Sequence, residues 1–210
     1  MKEERVTFKS GNLTLEGMIG YPDGAGPHRA AAVCHPHPLY GGSMHNNVVE
    51  AALEALHARG FATMRFNFRG VGQSEGEFDN GRGEADDATA AVRFLIAQKG
   101  VHGDGAVLAG YSFGAMVAMR AAASVEAVTA IVAVAPPLEM IEPSALGAIT
   151  KPVVLIAGNQ DSYCPANHLV ALAERLGPSA QLKLIPGADH FFASHEHEIA
   201  AALVEALAKL

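Results

Sequence analysis

The chain has 210 residues, half of them apolar and 18% charged, which suits a compact globular protein and excludes a disordered one. Its net charge of −7 comes without a basic cluster, which argues against nucleic acid as a partner, and no apolar run approaches the roughly 20 residues that cross a bilayer, so no membrane segment is expected. The two cysteines, Cys34 and Cys164, form no C-x-x-C pair, and the charged start Met1–Arg5 has no apolar run behind it, so zinc or redox chemistry and a secretory signal are not indicated and a cytoplasmic compartment is expected.

Val6–Phe8 and Leu13–Tyr21 alternate apolar and polar residues around the turn chemistry of Ser10, Gly11 and Asn12, which predicts an antiparallel hairpin. Ala30–Cys34 is a short apolar run, the pattern of a strand buried on both faces. Asn46–Arg59 has helical spacing with Val49, Leu53 and Leu56 on one face and Gly60 as its stop. Phe61–Phe68 reads as a strand. Arg69–Gly76 is glycine-rich but matches neither phosphate-binding pattern, so it reads as a tight structural loop. Glu84–Gln98 reads as a helix, acidic at its start and followed by Lys99 and Gly100. Gly105–Ala109 and Ala127–Val134 read as strands, with a helix after Ser112 between them. Leu138–Ile149 is a weakly helical connection, too short for a large lid. Val153–Ala157 is a strand, Pro165–Leu176 a helix, Gln181–Ile185 a strand and Phe191–Leu210 a final helix. From Ala30 onward strands alternate with helices, which requires a mostly parallel sheet with helices on both faces. No repeat or composition shift divides the chain, so residues 1–210 are expected to form a single domain.

The chemistry centres on Gly110-Tyr-Ser-Phe-Gly114, between an apolar strand and an Ala/Met-rich helix. A serine in such a strained turn crowds its neighbours two positions away, so only small residues fit there. The turn presents Ser112 at the end of the sheet and at a helix N-terminus, where free N–H groups favour developing negative charge. A serine hydroxyl is a weak nucleophile and needs a base, and the base needs an orienting group. Asp161 follows the Val153 strand and His190 follows the Gln181 strand. The C-terminal ends of parallel strands share one edge of a sheet, so Ser112, Asp161 and His190 can converge there. Asp161 also reads as a turn former, and Asp189 is a rival that adjacency to His190 places badly. One oxyanion donor is expected from the N–H of Phe113, the residue after the serine. A second should come from His35-Pro-His-Pro-Leu-Tyr40, where Pro36 and Pro38 have no N–H and His37, Leu39 and Tyr40 remain. His35 and His37 lack a third ligand at convincing spacing, so no metal and no cofactor is expected; loop shaping is the simpler role. His37, Tyr40, Tyr163 and Phe191 are candidate substrate-binding residues by position, as are Phe78 and Leu138.

Ser112 in its G-x-S-x-G, Asp161 and His190 resemble the α/β-hydrolase superfamily over nearly the whole chain. His35-Pro-His-Pro-Leu-Tyr-Gly-Gly42 and Arg65-Phe-Asn-Phe-Arg-Gly-Val-Gly-Gln-Ser-Glu-Gly76 are similar to a family of small bacterial hydrolases related to dienelactone hydrolase. The resemblance implies an α/β-hydrolase fold without a large lid, and a serine hydrolase acting on small esters without metal. It also implies the Leu39 N–H, two positions after a histidine, as the second oxyanion donor. Dienelactone hydrolase itself carries a cysteine nucleophile where this chain has Ser112, which favours ordinary carboxylic esters as the small-molecule substrate, and the absence of a long lid insertion predicts short acyl chains. The same site chemistry also suits a thioesterase or a small peptidase, and a catalytically silent binding module is the reading from outside the enzymes.

Overall fold

The computed structural model describes residues 2–141 and 146–210. Eight strands form one sheet: β1 (Lys2–Ser10), β2 (Leu13–Tyr21), β3 (His28–Cys34), β4 (Phe61–Phe66), β5 (Val101–Tyr111), β6 (Val128–Val134), β7 (Val153–Gly158) and β8 (Ala180–Ile185), in the order β1-β2-β4-β3-β5-β6-β7-β8. The first hairpin is antiparallel, and β2 joins β4 antiparallel, with Gly17 opposite Phe66. Every other pairing is parallel. Among the described residues these helices surround the sheet: α1 (Asn47–Ala58), α2 (Arg82–Ile96), α3 (Phe113–Ala122), α4 (Ala166–Leu176) and α5 (Glu196–Leu207). This is the α/β-hydrolase architecture, with α1 packed on α5 and α2 on α3.

The burial of each strand follows from its neighbours. The strands β4 and β7, inside the sheet and covered by helices, are buried at every position. The edge strand β1 alternates, because one of its faces meets water. Both thiols are buried, and burial pushes Cys164 up to about 12, so each behaves as an apolar filler.

Several boundaries differ from the expected ones, and for two of them the physical reason is plain. The strand β5 runs from Val101 to Tyr111, longer than the apolar run Gly105–Ala109, because pairing with β3 begins at His28↔Val101 and pairing with β6 continues to Tyr111↔Val134. The final helix begins at Glu196, five residues after Phe191. Between them Phe192 and Ser194 take φ values of 54° and 64°, which no helix permits. The burial of Phe192 decides this: its ring meets Tyr111 edge-on at 6.2 Å, and the loop turns to place it. Within the connection expected at Leu138–Ile149, Leu138–Met140 form one 3-10 turn, and residues 142–145 lie outside the described residues.

The glycine-rich stretch is a structural loop. The Arg69 guanidinium grips the fully buried carboxylate of Asp87 through two donors, 2.8 and 3.0 Å, and the Arg69 N–H adds a third bond at 3.0 Å. The Ser74 hydroxyl donates to the Asn67 carbonyl, and the Glu75 N–H to Thr14 O. The loop is thereby tied to α2 on one side and to the first hairpin on the other.

Candidate active site

Ser112 sits at the corner between β5 and α3 with φ 54° and ψ −120°, a backbone region that a side chain occupies at a cost of about 1–3 kcal/mol. Hydrogen bonds on both sides hold it there. Its N–H donates to Val134 O at 2.8 Å, and its carbonyl accepts from the N–H groups of Ala115 and Met116. The flanking glycines are required by close approach of backbone. A Cβ on Gly110 would run into the Gly114 carbonyl, and a Cβ on Gly114 into the carbonyls of Cys34 and His35. The motif therefore packs the elbow against its own helix and against the end of β3. As the first residue of α3, Phe113 has no intrahelical acceptor for its N–H, which stands next to the serine.

The Ser112 hydroxyl meets His190 Nε2 at 2.9 Å, and His190 Nδ1 meets Asp161 Oδ2 at 2.8 Å. A carboxylate only accepts, so Nδ1 carries the proton and Nε2 is the acceptor facing the serine. The Asp161 side chain is fully buried, and its other oxygen, Oδ1, accepts from the N–H groups of Tyr163 and Cys164, each at 2.8 Å. Asp161 is thus both a turn former and the acid beside the imidazole. Asp189, its rival, turns away and accepts from the Phe191 N–H. The loops that carry the two partners continue the pairing of β7 with β8. The Asn159 N–H donates to Ile185 O and the Gln160 N–H to Ala188 O, while Asn159 Oδ1 accepts from the Gly187 N–H.

The loop after β3 holds its amides in different ways. The Leu39 N–H is already engaged: it donates to His37 Nδ1 at 3.2 Å, and Leu39 itself is exposed. The Tyr40 and Gly42 N–H groups both donate to His37 O. Leu39 and His37 are both candidates for the second oxyanion donor, and the Leu39 N–H carries its bond to His37 Nδ1 within the loop. The His37 ring folds back over its own loop and accepts the amide two residues on. The ring is packed against Tyr40, Phe78 and Phe113 at centroid distances of 4.7, 4.9 and 4.8 Å, and this burial lowers its pKa. His35 has a different task. It is fully buried, donates from Nδ1 to Pro36 O at 2.7 Å and accepts the Phe68 N–H at Nε2, so it ties the end of β3 to the end of β4. Burial lowers its pKa to about 4.

Two side chains that sequence reasoning passed over support the site. The buried Tyr111 hydroxyl donates to the His190 carbonyl at 2.8 Å, which anchors the histidine loop to the strand that carries Ser112. Asn159 closes the acid loop onto the histidine loop. Tyr111 lies inside the motif, yet its partner is 79 residues away, so no local pattern announces it. The other candidates stand around the mouth. Tyr163 and Phe191 flank the imidazole, and Tyr40 projects outward at 87% exposure.

Comparison with known proteins agrees with this fold. The profile of the dienelactone hydrolase family matches residues 75–209. An uncharacterized protein of Rickettsia prowazekii (strain Madrid E), RP471, is 37% identical over 208 residues, covering 95% of this chain and 86% of its own. Among solved structures, an α/β serine hydrolase homologue from Coxiella burnetii is 33% identical with a TM-score of 0.86, covering 99% of this chain and 98% of its own. XC6422 from Xanthomonas campestris, described as an α/β serine hydrolase without lid, is 34% identical with a TM-score of 0.88, covering 99% of this chain and 94% of its own.

Proposed function

The chain belongs to the dienelactone hydrolase family, and from that premise we propose that it is a serine hydrolase cleaving small carboxylic esters through an acyl-enzyme. One observation carries the reading: the unbroken run from Ser112 Oγ to His190 Nε2, 2.9 Å, and from His190 Nδ1 to Asp161 Oδ2, 2.8 Å. In the proposed cycle His190 takes the proton of Ser112 as its oxygen attacks the ester carbonyl. Negative charge grows on the carbonyl oxygen, and preorganised N–H donors are what stabilise it. The Phe113 N–H at the head of α3 fills one of these places and an N–H of the loop after β3, that of Leu39 or of His37, the other. His190 then gives the proton to the departing alcohol. Water repeats the sequence against the acyl-enzyme and releases the acid. Asp161 holds the ring in the required tautomer and stabilises its cation.

The role of Ser112 is tested by Ser112→Ala. The variant is expected to lose turnover of p-nitrophenyl acetate and butyrate and to lose labelling by a fluorophosphonate probe. Labelling of another serine, or turnover that survives the substitution, would remove Ser112 from the mechanism.

A further inference from the structure

Acyl transfer restricts where the departing alcohol begins. Its oxygen must lie within hydrogen-bond reach of the nitrogen that protonates it. On the serine-hydrolase reading, which this inference rests on, that nitrogen is His190 Nε2. The carbon skeleton of the alcohol therefore starts beside the imidazole. Two rings stand there. Tyr163 lies 4.9 Å from the imidazole, centroid to centroid, and Phe191 lies 5.7 Å from it; the two meet each other edge-on at 6.3 Å. They are 62% and 60% exposed, so most of this aromatic surface meets water. Grouped at one place, these rings offer an apolar surface that a bound group can cover. The backbone that carries each ring is tied beside the base. The Tyr163 N–H donates to Asp161, the acid that meets His190, and the Phe191 N–H donates to Asp189, the residue before His190.

We propose that Tyr163 and Phe191 form a platform for the leaving group, selecting esters of flat, apolar alcohols of the aryl or arylalkyl class. In the acylation step the bond from Ser112 Oγ to the carbonyl carbon forms and the bond from that carbon to the alcohol oxygen breaks. The serine proton travels through His190 Nε2 to the departing oxygen, and the neutral alcohol leaves across the two rings. The alcohol is gone before water attacks, so the platform acts on acylation and leaves deacylation untouched. Acylation is reversible, so a free arylalkyl alcohol held on the same rings competes with water for the acyl-enzyme.

The test compares 2-phenylethyl acetate with ethyl acetate. The acyl group is shared and both alcohols are primary alkanols, so the ratio of kcat/KM values reports contact with the ring rather than leaving-group reactivity. The native enzyme is expected to favour the phenylethyl ester by about tenfold or more, the effect of covering part of one aromatic ring. In the double variant Tyr163→Ala, Phe191→Ala the ratio is expected to fall to within about twofold of one. A second measurement needs no variant. With p-nitrophenyl butyrate as donor, 2-phenylethanol should divert acyl-enzyme from water about tenfold better than the same concentration of ethanol. Equal kcat/KM values for the two acetates in the native enzyme, an unchanged ratio in the double variant, or equal diversion by the two alcohols would overturn the platform while fluorophosphonate still labels Ser112. If Ser112 is unlabelled and neither ester turns over, the hydrolase reading falls and the platform with it.

Discussion

At the scale of single residues, two neighbouring histidines in one loop do unlike work because their surroundings differ. His35 is enclosed and uses both ring nitrogens on backbone groups, whereas His37 keeps a ring among aromatic side chains and uses Nδ1 to hold the Leu39 N–H. The consequence for His35 concerns stability. Burial holds its pKa at about 4, below the ordinary value of about 6.5. As pH falls, the unfolded chain binds the proton first. The contribution to stability is therefore complete above about pH 6.5, shrinks as pH falls from there, and levels off below about pH 4. At pH 4.5 the loss from this one group is about 2–3 kcal/mol. Urea unfolding at pH 7 and pH 4.5 checks this: the native protein should lose about that much more stability between the two than His35→Gln does. Equal losses would show that His35 is not the group titrating.

At the scale of elements, the site depends on strand ends being stitched together beyond the sheet. Tyr111 closes β5 and donates to the carbonyl of His190, so the strand that carries the serine also locates the loop that carries the histidine. Tyr111 touches no reacting atom and is a positioning residue. In Tyr111→Phe the carbonyl loses a buried partner, an effect of about 1–3 kcal/mol on stability. The looser imidazole should lower kcat for p-nitrophenyl acetate by about tenfold with KM within about twofold, since misplacement of a reacting group acts on the chemical step. If the substitution lowers stability while kcat is unchanged, the bond serves folding and not alignment. The same stitching explains which elements were legible in advance. The apolar runs of β3, β6 and β7 lie inside the sheet and announce themselves by composition, whereas the beginning of α5 is set by the burial of Phe192 against Tyr111, which composition does not display.

At the scale of the whole molecule, the C-terminal edge of the sheet is an open rim bordered by short loops. Leu39, Tyr40, Met140, Tyr163 and Phe191, all on connections that follow strands, leave apolar side chains facing outward. No lid folds over them among the described residues. A long acyl chain would find little surface to cover it, so kcat/KM should be greater for p-nitrophenyl acetate and butyrate than for the laurate. A preference for the laurate would show that the rim holds long chains after all.

Much of this protein is written in local order. Runs of apolar residues separated by helical spacing specify a parallel sheet, and glycines two positions either side of Ser112 specify the sharp turn, because each depends on neighbours a few residues apart. Asp161 and His190 are legible as candidates for a similar reason: each directly follows a strand, and parallel strands end on one edge. The choice among loop amides is not local in that sense. The resemblance points to the Leu39 N–H, and only the fold shows that the His37 ring engages it. The Tyr111 anchor and the pairing of Tyr163 with Phe191 beside the imidazole join residues far apart along the chain. Such contacts depend on the angle and spacing at which whole elements pack, and that is information the order of residues carries only once the chain has folded.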